Sequence, residues 1–263
     1  MDKTTMLDRI TPLILTWNEE ANIARTLAKL AWAREVVVVD SGSTDSTHAI
    51  CESFPNVRLV ARPFDNHATQ WNYGLKEAGI ATDWVLALDA DYVLTDPMVE
   101  ELRTLAPVEA TAGYRMHFRY CIHGRALSGS LYPPVVALYR RTRAHYVQDG
   151  HTQRVVVDGP VGESASFAFH DDRKPLGRWL AAQDRYAQLE CDLLAGRKWA
   201  ELRWQDRLRK LMFITPWLVP IYCLTVGKGF KDGWPGLFYA LQRSVAETIL
   251  SLKLMGKKFG GER

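Results

Sequence analysis

The chain has 263 residues, 47% of them hydrophobic and 24% charged, with a formal net charge of +3. Such a composition excludes a disordered, collagen-like or disulfide-scaffold protein, and the length allows one large domain with an appendage. The small net charge conceals an asymmetry: residues 1–195 carry 20 Lys/Arg against 25 Asp/Glu, whereas residues 196–263 carry 13 against 5. A basic tail on an acidic body suits a polyanion, either nucleic acid or an anionic membrane surface. Cys51, Cys121, Cys191 and Cys223 form no C-x-x-C pair. With no secretory leader evident, they predict reduced thiols in the cytoplasm and no zinc site.

In chain order, residues 10–17 predict a first strand. Asn18 then predicts the cap of a helix whose apolar Ile23, Leu27 and Leu30 fall at i, i+4 and i+7. EVVVVD (35–40) reads as a second, fully buried strand, followed by the turn Ser41-Gly42-Ser43-Thr44-Asp45. A short helix with Ile50 and Phe54 on one face stops at Pro55. Residues 57–61 predict a third strand, residues 67–78 a helix ended by Gly79, and residues 84–88 a fourth strand. Alternating strands and helices of this kind build a parallel sheet with right-handed crossovers. Neither G-x-G-x-x-G nor G-x-x-x-x-G-K occurs.

The fourth strand runs into Asp89-Ala90-Asp91. In an open α/β sheet ligands sit outside the carboxyl ends of the strands. Two carboxylates there repel each other unless a cation joins them, and Mg²⁺ or Mn²⁺ bridging a substrate's phosphates is the natural partner for Asp89 and Asp91. An acidic loop with Asp96 and Pro97 capping the next helix is the plainer alternative. That helix turns Met98, Leu102 and Leu105 inward. Residues 113–169 break into short β-like pieces, YRMHFRY, VVALYR, RVVVDG and SFAFH, which predict a mixed or antiparallel extension of the sheet.

A helix over residues 176–194 shows Trp179, Tyr186, Leu189 and Leu193 near one stripe. Basic residues 197–210 follow, interleaved with Trp199 and Trp204. LMFITPWLVPIYCLTV (211–226) is then free of charge, too short to span a bilayer and broken by Pro216 and Pro220. An amphipathic helix closes the chain. This pattern predicts a region lying in a membrane interface, with a core helical hairpin as the alternative. The expected division is a catalytic domain over 1–175 and a helical, basic, membrane-interfacial region over 176–263.

Taken together, PLILTWNEE (12–20), EVVVVDSGSTD (35–45), Gln70-x-Asn72 and LALDADYVL (86–94) resemble the family-2 glycosyltransferases of the GT-A fold. The second half is similar to one branch, the enzymes like lipopolysaccharide-core β-1,4-glucosyltransferases. That likeness rests on residues 138–162, His170 and the turn Gly233-Trp234-Pro235-Gly236. The resemblance implies an α/β, Rossmann-like, mostly parallel sheet with flanking helices. It implies an inverting, metal-dependent enzyme on the inner face of the cytoplasmic membrane. The enzyme would move a sugar from a nucleotide donor, UDP-linked, to a lipid-linked or lipopolysaccharide-type glycan. Its partners would then include an anionic membrane surface but no nucleic acid.

Residue by residue, the same resemblance puts Asn18 and Glu19 beside the nucleotide and gives Asp40 the base to read. Asp45 would hold the loop, and Gln70 and Asn72 would join the donor site. Asp89 would touch ribose or metal, and Asp91 would ligate the metal. Arg140, Arg141 and Arg143 would reach a diphosphate or an anionic acceptor, or form a solvated strand edge.

The acceptor hydroxyl needs a general base, which the resemblance assigns to the region 148–153. Relatives there carry His-Glu, but this chain has Thr152-Gln153, and an amide cannot take a proton. Asp149 becomes the candidate base and His151 the second, with a plain Asp149-Gly150 hairpin turn as the alternative. Two other readings remain: a sugar-nucleotide nucleotidyltransferase, which wants a Gly-rich basic loop where Trp17-Asn18-Glu19-Glu20 stands, and a membrane-bound binding relative that has lost its base.

Overall fold

The structure is a computed structural model that describes residues 5–149 and 152–260, without the side chains of Asp149 and Thr152. In chain order the strands are β1 (Ile10–Thr16), β2 (Val36–Asp40), β3 (Val57–Ala61), β4 (Trp84–Asp89), β5 (Tyr92–Leu94), β6 (Gly113–Ile122), β7 (Arg125–Ala126), β8 (Val135–Arg140), β9 (Ala144–Asp149), β10 (Thr152–Val157) and β11 (Val161–His170). The helices are α1 (Ile23–Ala28), α2 (Thr47–Glu52), α3 (His67–Lys76), α4 (Asp96–Thr104), α5 (Leu176–Gly196), α6 (Trp204–Lys210), α7 (Thr215–Leu224) and α8 (Trp234–Phe259). They form two compact units: residues 1–121 with 132–173, and residues 122–131 with 174–263. The segment 122–131, which sequence alone placed with the catalytic half, groups with the helical one.

The first unit is built on a sheet of order β3-β2-β1-β4-β8-β6-β11-β5. β1 pairs in parallel with β2 and with β4, and β2 with β3. β8 and β5 run against their neighbours, and β6 and β11 are parallel. The expected α/β class, a mainly parallel half with a mixed extension, is what forms. Its central strands β1, β2 and β4 are mostly apolar because both faces are covered. Along β1, β2 and β4 alternate residues enter two different cores: Ile14, Val38, Trp84 and Leu86 one, Leu13, Val37, Val85 and Ala87 the other. On the second face α3 lies close to β1, since a Cβ on Gly74 would meet the Leu13 side chain at 2.8 Å.

Several local expectations change. β1 ends at Thr16, leaving Trp17 half exposed. Asn18 does not cap a helix: its φ is 56°, and α1 starts only at Ile23, although Ile23, Leu27 and Leu30 are buried as expected. Thr95, not Asp96, caps α4 by accepting from the Met98 N–H, and Leu105 lies outside that helix. The short β5 and the β9 half of the β9–β10 hairpin were not expected. Their few residues carry too little periodicity to stand out from a loop.

The helical unit has its own core of Ala187, Cys191, Leu194, Leu202, Met212, Leu250 and Leu254. This corrects the stripe expected on α5 in part: Leu193 packs against that core, but Tyr186 and Leu189 are exposed, while Ala187, Cys191 and Leu194 are buried. Arg209 pairs with Glu190, Asp206 and Glu247 across three helices. The expected turn at Gly233 also has a steric reason. Gly233 adopts φ 63°, and a Cβ on Gly236 would lie 1.9 Å from the Gly229 carbonyl oxygen.

The apolar segment 211–226 contains α7, whose Pro216 sits in the first turn and Pro220 inside. Among the described residues no helix is long and apolar enough to cross a membrane. All four cysteines are free and buried, and burial pushes the thiols of Cys51 and Cys121 up to about 11 and about 12.

Candidate active site

Strands β1, β2, β4, β6 and β11 run in one direction, so Thr16, Asp40, Asp89 and His170 all stand on one edge of the sheet. At this edge β1 has β2 on one side and β4 on the other, the switch point where α/β sheets open a crevice. Asp89 is exposed at the end of β4, two residues from the buried Asp91. β5 turns back from that point and pairs with β11, placing His170 opposite Tyr92. The His170 Nε2 thereby lies 3.3 Å from Asp91 Oδ2.

Three tyrosine rings enclose this imidazole: Tyr120 and Tyr132 at 4.8 Å and Tyr92 at 5.1 Å between ring centres. The Tyr92 and Tyr132 hydroxyls hydrogen-bond each other. Burial favours a neutral His170, but the charge and hydrogen bond of Asp91, with Asp89 and Asp172 beyond, outweigh it and raise its pKa. Burial likewise raises the Tyr92 and Tyr132 hydroxyls, reinforced by the charge of Asp89. His170 entered the sequence reading only as part of a resemblance, without a role. The available signal was its place at the end of the alternating SFAFH, a strand end like that of Asp89.

The chemistry of these donors fits a hard divalent cation: carboxylate oxygens with one imidazole. The buried Nδ1 of His170 has no hydrogen-bond partner among the described residues, which leaves one nitrogen of the ring open to a bound group. No group of three or more His, Cys, Asp or Glu side chains converges as a metal site among the described residues.

The loops after β1 and β2 are laced together. Asn18 Oδ1 accepts from the Thr44 N–H at 2.7 Å, and the Asn18 N–H donates to Ser43 Oγ at 2.7 Å. The Glu19 N–H donates to Thr47 Oγ1 at 2.7 Å, and Asp45 accepts from the Thr47 N–H at 3.0 Å and the Glu20 N–H at 3.3 Å. Asp45 thereby ties the loop after β2 to the loop after β1.

Asp40 is held by groups of the protein itself. Its carboxylate is fully buried and accepts from the Gly42 and Ser43 N–H groups, both at 2.8 Å, from Thr16 Oγ1 at 3.0 Å and from the Ser43 hydroxyl. His48 Nε2 lies 2.8 Å away. Burial opposes ionisation, yet the bonds from Ser43, His48 and Thr16 prevail and lower its pKa. A carboxylate with a depressed folded pKa stabilises the fold above its unfolded value of about 3.9, and that contribution is lost as the pH falls through the folded value. We expect Asp40→Ala to remove about 2–4 kcal/mol. Urea unfolding at pH 7 and below pH 3 should show the deficit shrinking in acid, and equal deficits at both would refute an ionised anchor.

Gln70 and Asn72 are also turned inward. Gln70 is buried and bonds Ser41 Oγ at 3.1 Å, the Arg62 carbonyl at 3.2 Å and the Arg62 guanidinium. Asn72 donates to the Tyr146 carbonyl at 2.8 Å and accepts from its N–H at 2.9 Å. With the stacking of Trp71 on Tyr146 at 5.2 Å, this clamp fixes the β9–β10 hairpin to α3. Asp149 ends β9 near the hairpin tip, its side chain undescribed, and His151 lies outside the described residues.

Arg140, Arg141 and Arg143 are not brought to the site. Arg140 pairs in register with Trp84, the first residue of β4, and the three guanidinium groups donate to the carbonyls of Thr111, Thr82 and Ala110. They brace the opposite edge of the sheet.

Comparison with known proteins gives this edge its context. The chain is 28% identical over 251 residues to the lipopolysaccharide core biosynthesis glycosyltransferase LpsC of Rhizobium meliloti (strain 1021), covering 88% of each protein. It is 34% identical over 97 residues to an uncharacterized glycosyltransferase of Rickettsia felis, covering 36% of this chain and 33% of that one. Among solved structures it is similar to S. aureus TarS 1–349 in complex with UDP-GlcNAc, with TM-score 0.49, 13% identity and coverage of 96% and 92%. A second is glucosyl-3-phosphoglycerate synthase from Mycobacterium tuberculosis in complex with Mn²⁺, UDP and phosphoglyceric acid, with TM-score 0.47, 17% identity and coverage of 72% and 78%. The family model for glycosyl transferase family 2 matches residues 13–150, over half of the chain, from within β1 to the end of β9. The chain therefore belongs to glycosyl transferase family 2.

Proposed function

We propose that this family-2 glycosyltransferase transfers a sugar with inversion from a UDP-linked donor to a lipid-linked or lipopolysaccharide-type glycan, in a metal-dependent reaction. The observation that carries the reading is the meeting of Asp91 and His170, with Asp89 exposed beside them, at the switch point of the sheet. Asp91 and His170 would hold a divalent cation, with Asp89 beside it, and the bound ion would neutralise charge on the departing diphosphate. The loops tied by Asn18, Asp40 and Asp45 border the nucleotide, and Asp40 acts by holding their shape. Asp149, on a hairpin whose base is clamped to α3, is the candidate to take the acceptor's proton. Attack from the face opposite the leaving group gives inversion. The 28% identity to a lipopolysaccharide core enzyme supports the acceptor class.

The purified chain should gain thermal stability from one class of nucleotide sugar only when Mn²⁺ or Mg²⁺ is present, because a ligand confined to the folded state raises its apparent stability. Equal shifts with and without the ion would count against the metal, and no shift with any nucleotide sugar would count against the donor.

The helical unit supports a position on the inner face of the cytoplasmic membrane. Trp217 is 76% exposed, and Phe213, Ile221, Val226 and Phe230 are also largely exposed, next to Lys228 and Lys231. Aromatic and aliphatic side chains beside lysines are the pattern of an interfacial anchor. The chain should sediment with vesicles containing anionic phospholipid, and Trp217→Ser with Phe230→Ser should release most of it. Unchanged sedimentation of that double variant would remove this surface from consideration.

A further inference from the structure

We propose that Asn22 and Thr26, two uncharged residues at the start of α1, are positioning residues that set the Asp91–His170 pair. The inference rests on the reading of that pair as part of the donor site. Both side chains are out of solvent, Asn22 at 1% and Thr26 at 0% exposure, although neither belongs to the apolar core. The Thr26 hydroxyl donates at 2.7 Å to the carbonyl of Ala90, the residue between Asp89 and Asp91. It pins the acidic turn at its midpoint.

Asn22 holds the other arm. Its Nδ2 donates to Asp172 Oδ1 at 2.8 Å and to Glu19 Oε2 at 2.9 Å. Its Oδ1 accepts from the Arg173 N–H at 2.8 Å and from Arg25 Nη2 at 3.0 Å. Arg25 Nη2 also donates to the Asp171 carbonyl at 2.7 Å, and the Asp171 N–H closes the circuit on the Asp91 carbonyl at 3.0 Å. One short helix start therefore grips the turn carrying Asp91 and the three residues after His170.

The need for such a grip follows from the strands. β5 has three residues and joins β11 through three register pairs. So short a ladder is weakly held by itself. Ligand atoms must be kept to a few tenths of an ångström for a cation, and outer residues that orient them commonly change affinity about 10–100-fold when removed. Asn22 and Thr26 each reach an arm across more than sixty residues of sequence, which local structure cannot supply.

The test uses Thr26→Val, which keeps the shape and removes the donor, Thr26→Ser, which restores it, and Asn22→Ala. The first readout is the His170 imidazole NMR signal in the metal-free full chain, with Asp91→Asn as the reference for a lost contact. Thr26→Val and Asn22→Ala should move that signal toward the reference, and Thr26→Ser should leave it near the parent's. The second readout is Mn²⁺ affinity by electron paramagnetic resonance, expected to weaken about 10–100-fold in Thr26→Val and Asn22→Ala and to recover in Thr26→Ser. Folded variants with the parent's imidazole signal would overturn the proposal. If the parent itself binds no Mn²⁺, the metal reading fails, and the imidazole comparison still decides whether the two residues position the pair.

Discussion

Asp91→Asn is expected to abolish Mn²⁺-dependent donor binding and to lower transfer by at least about 10²–10³-fold, the size of effect seen when one preorganised charge-stabilising group is lost. The substitution is nearly isosteric, so the sheet edge should fold as before. Asp91 is buried beside His170 and raises the pKa of that imidazole by its charge. The amide would remove that charge without opening a cavity. Titration of Mn²⁺ into the purified variant, with circular dichroism to establish folding, decides the matter. Full metal-dependent activity in the variant would leave Asp91 without the assigned role.

The second large effect concerns the proton. Asp149→Asn is expected to cut transfer by about 10²–10⁴-fold while leaving donor affinity unchanged, because a general base acts on the acceptor alone. The parent's rate should rise with pH through the ionisation of a carboxylate. A limb near about 6.5 instead, with the loss carried by His151→Ala, would assign the base to His151. Should both variants keep their rates, neither residue is the base and the hairpin tip does not serve the acceptor. Gln153, on β10 opposite Gln148, cannot substitute, since an amide has no proton-accepting lone pair of the required basicity.

The central strands β2 and β4 were legible because each carries an unbroken apolar run, and burial on both faces requires one. The Asp-x-Asp turn was legible as well, since carboxylates directly after such a run fall at the ligand-bearing edge. The partners that Asp40, Gln70 and Asn72 find within the protein were not legible in the sequence. Polar residues in loops look alike whether they face a ligand or the protein. Some of the partners lie far along the chain: Thr16 is 24 residues from Asp40, and Tyr146 is 74 from Asn72. The expected stripe of α5 held only at Leu193 for a related reason: the buried face is set by the distant helix α8 on which α5 packs.

By itself the sequence determined the order of strands and helices, the acidic turn after β4, the basic and apolar character of the last third, and the family. Those properties are local or nearly so, carried by periodicity, turn chemistry and short motifs. Tertiary structure alone decided that His170 meets Asp91, that Arg140, Arg141 and Arg143 brace the far edge, and that Asn22 and Thr26 grip both arms of the site. Each depends on strand register and on contacts between distant segments. A one-residue slip in the β5–β11 pairing would take the three-residue β5, and Asp91 just before it, out of register with His170, and neither segment alone records that choice.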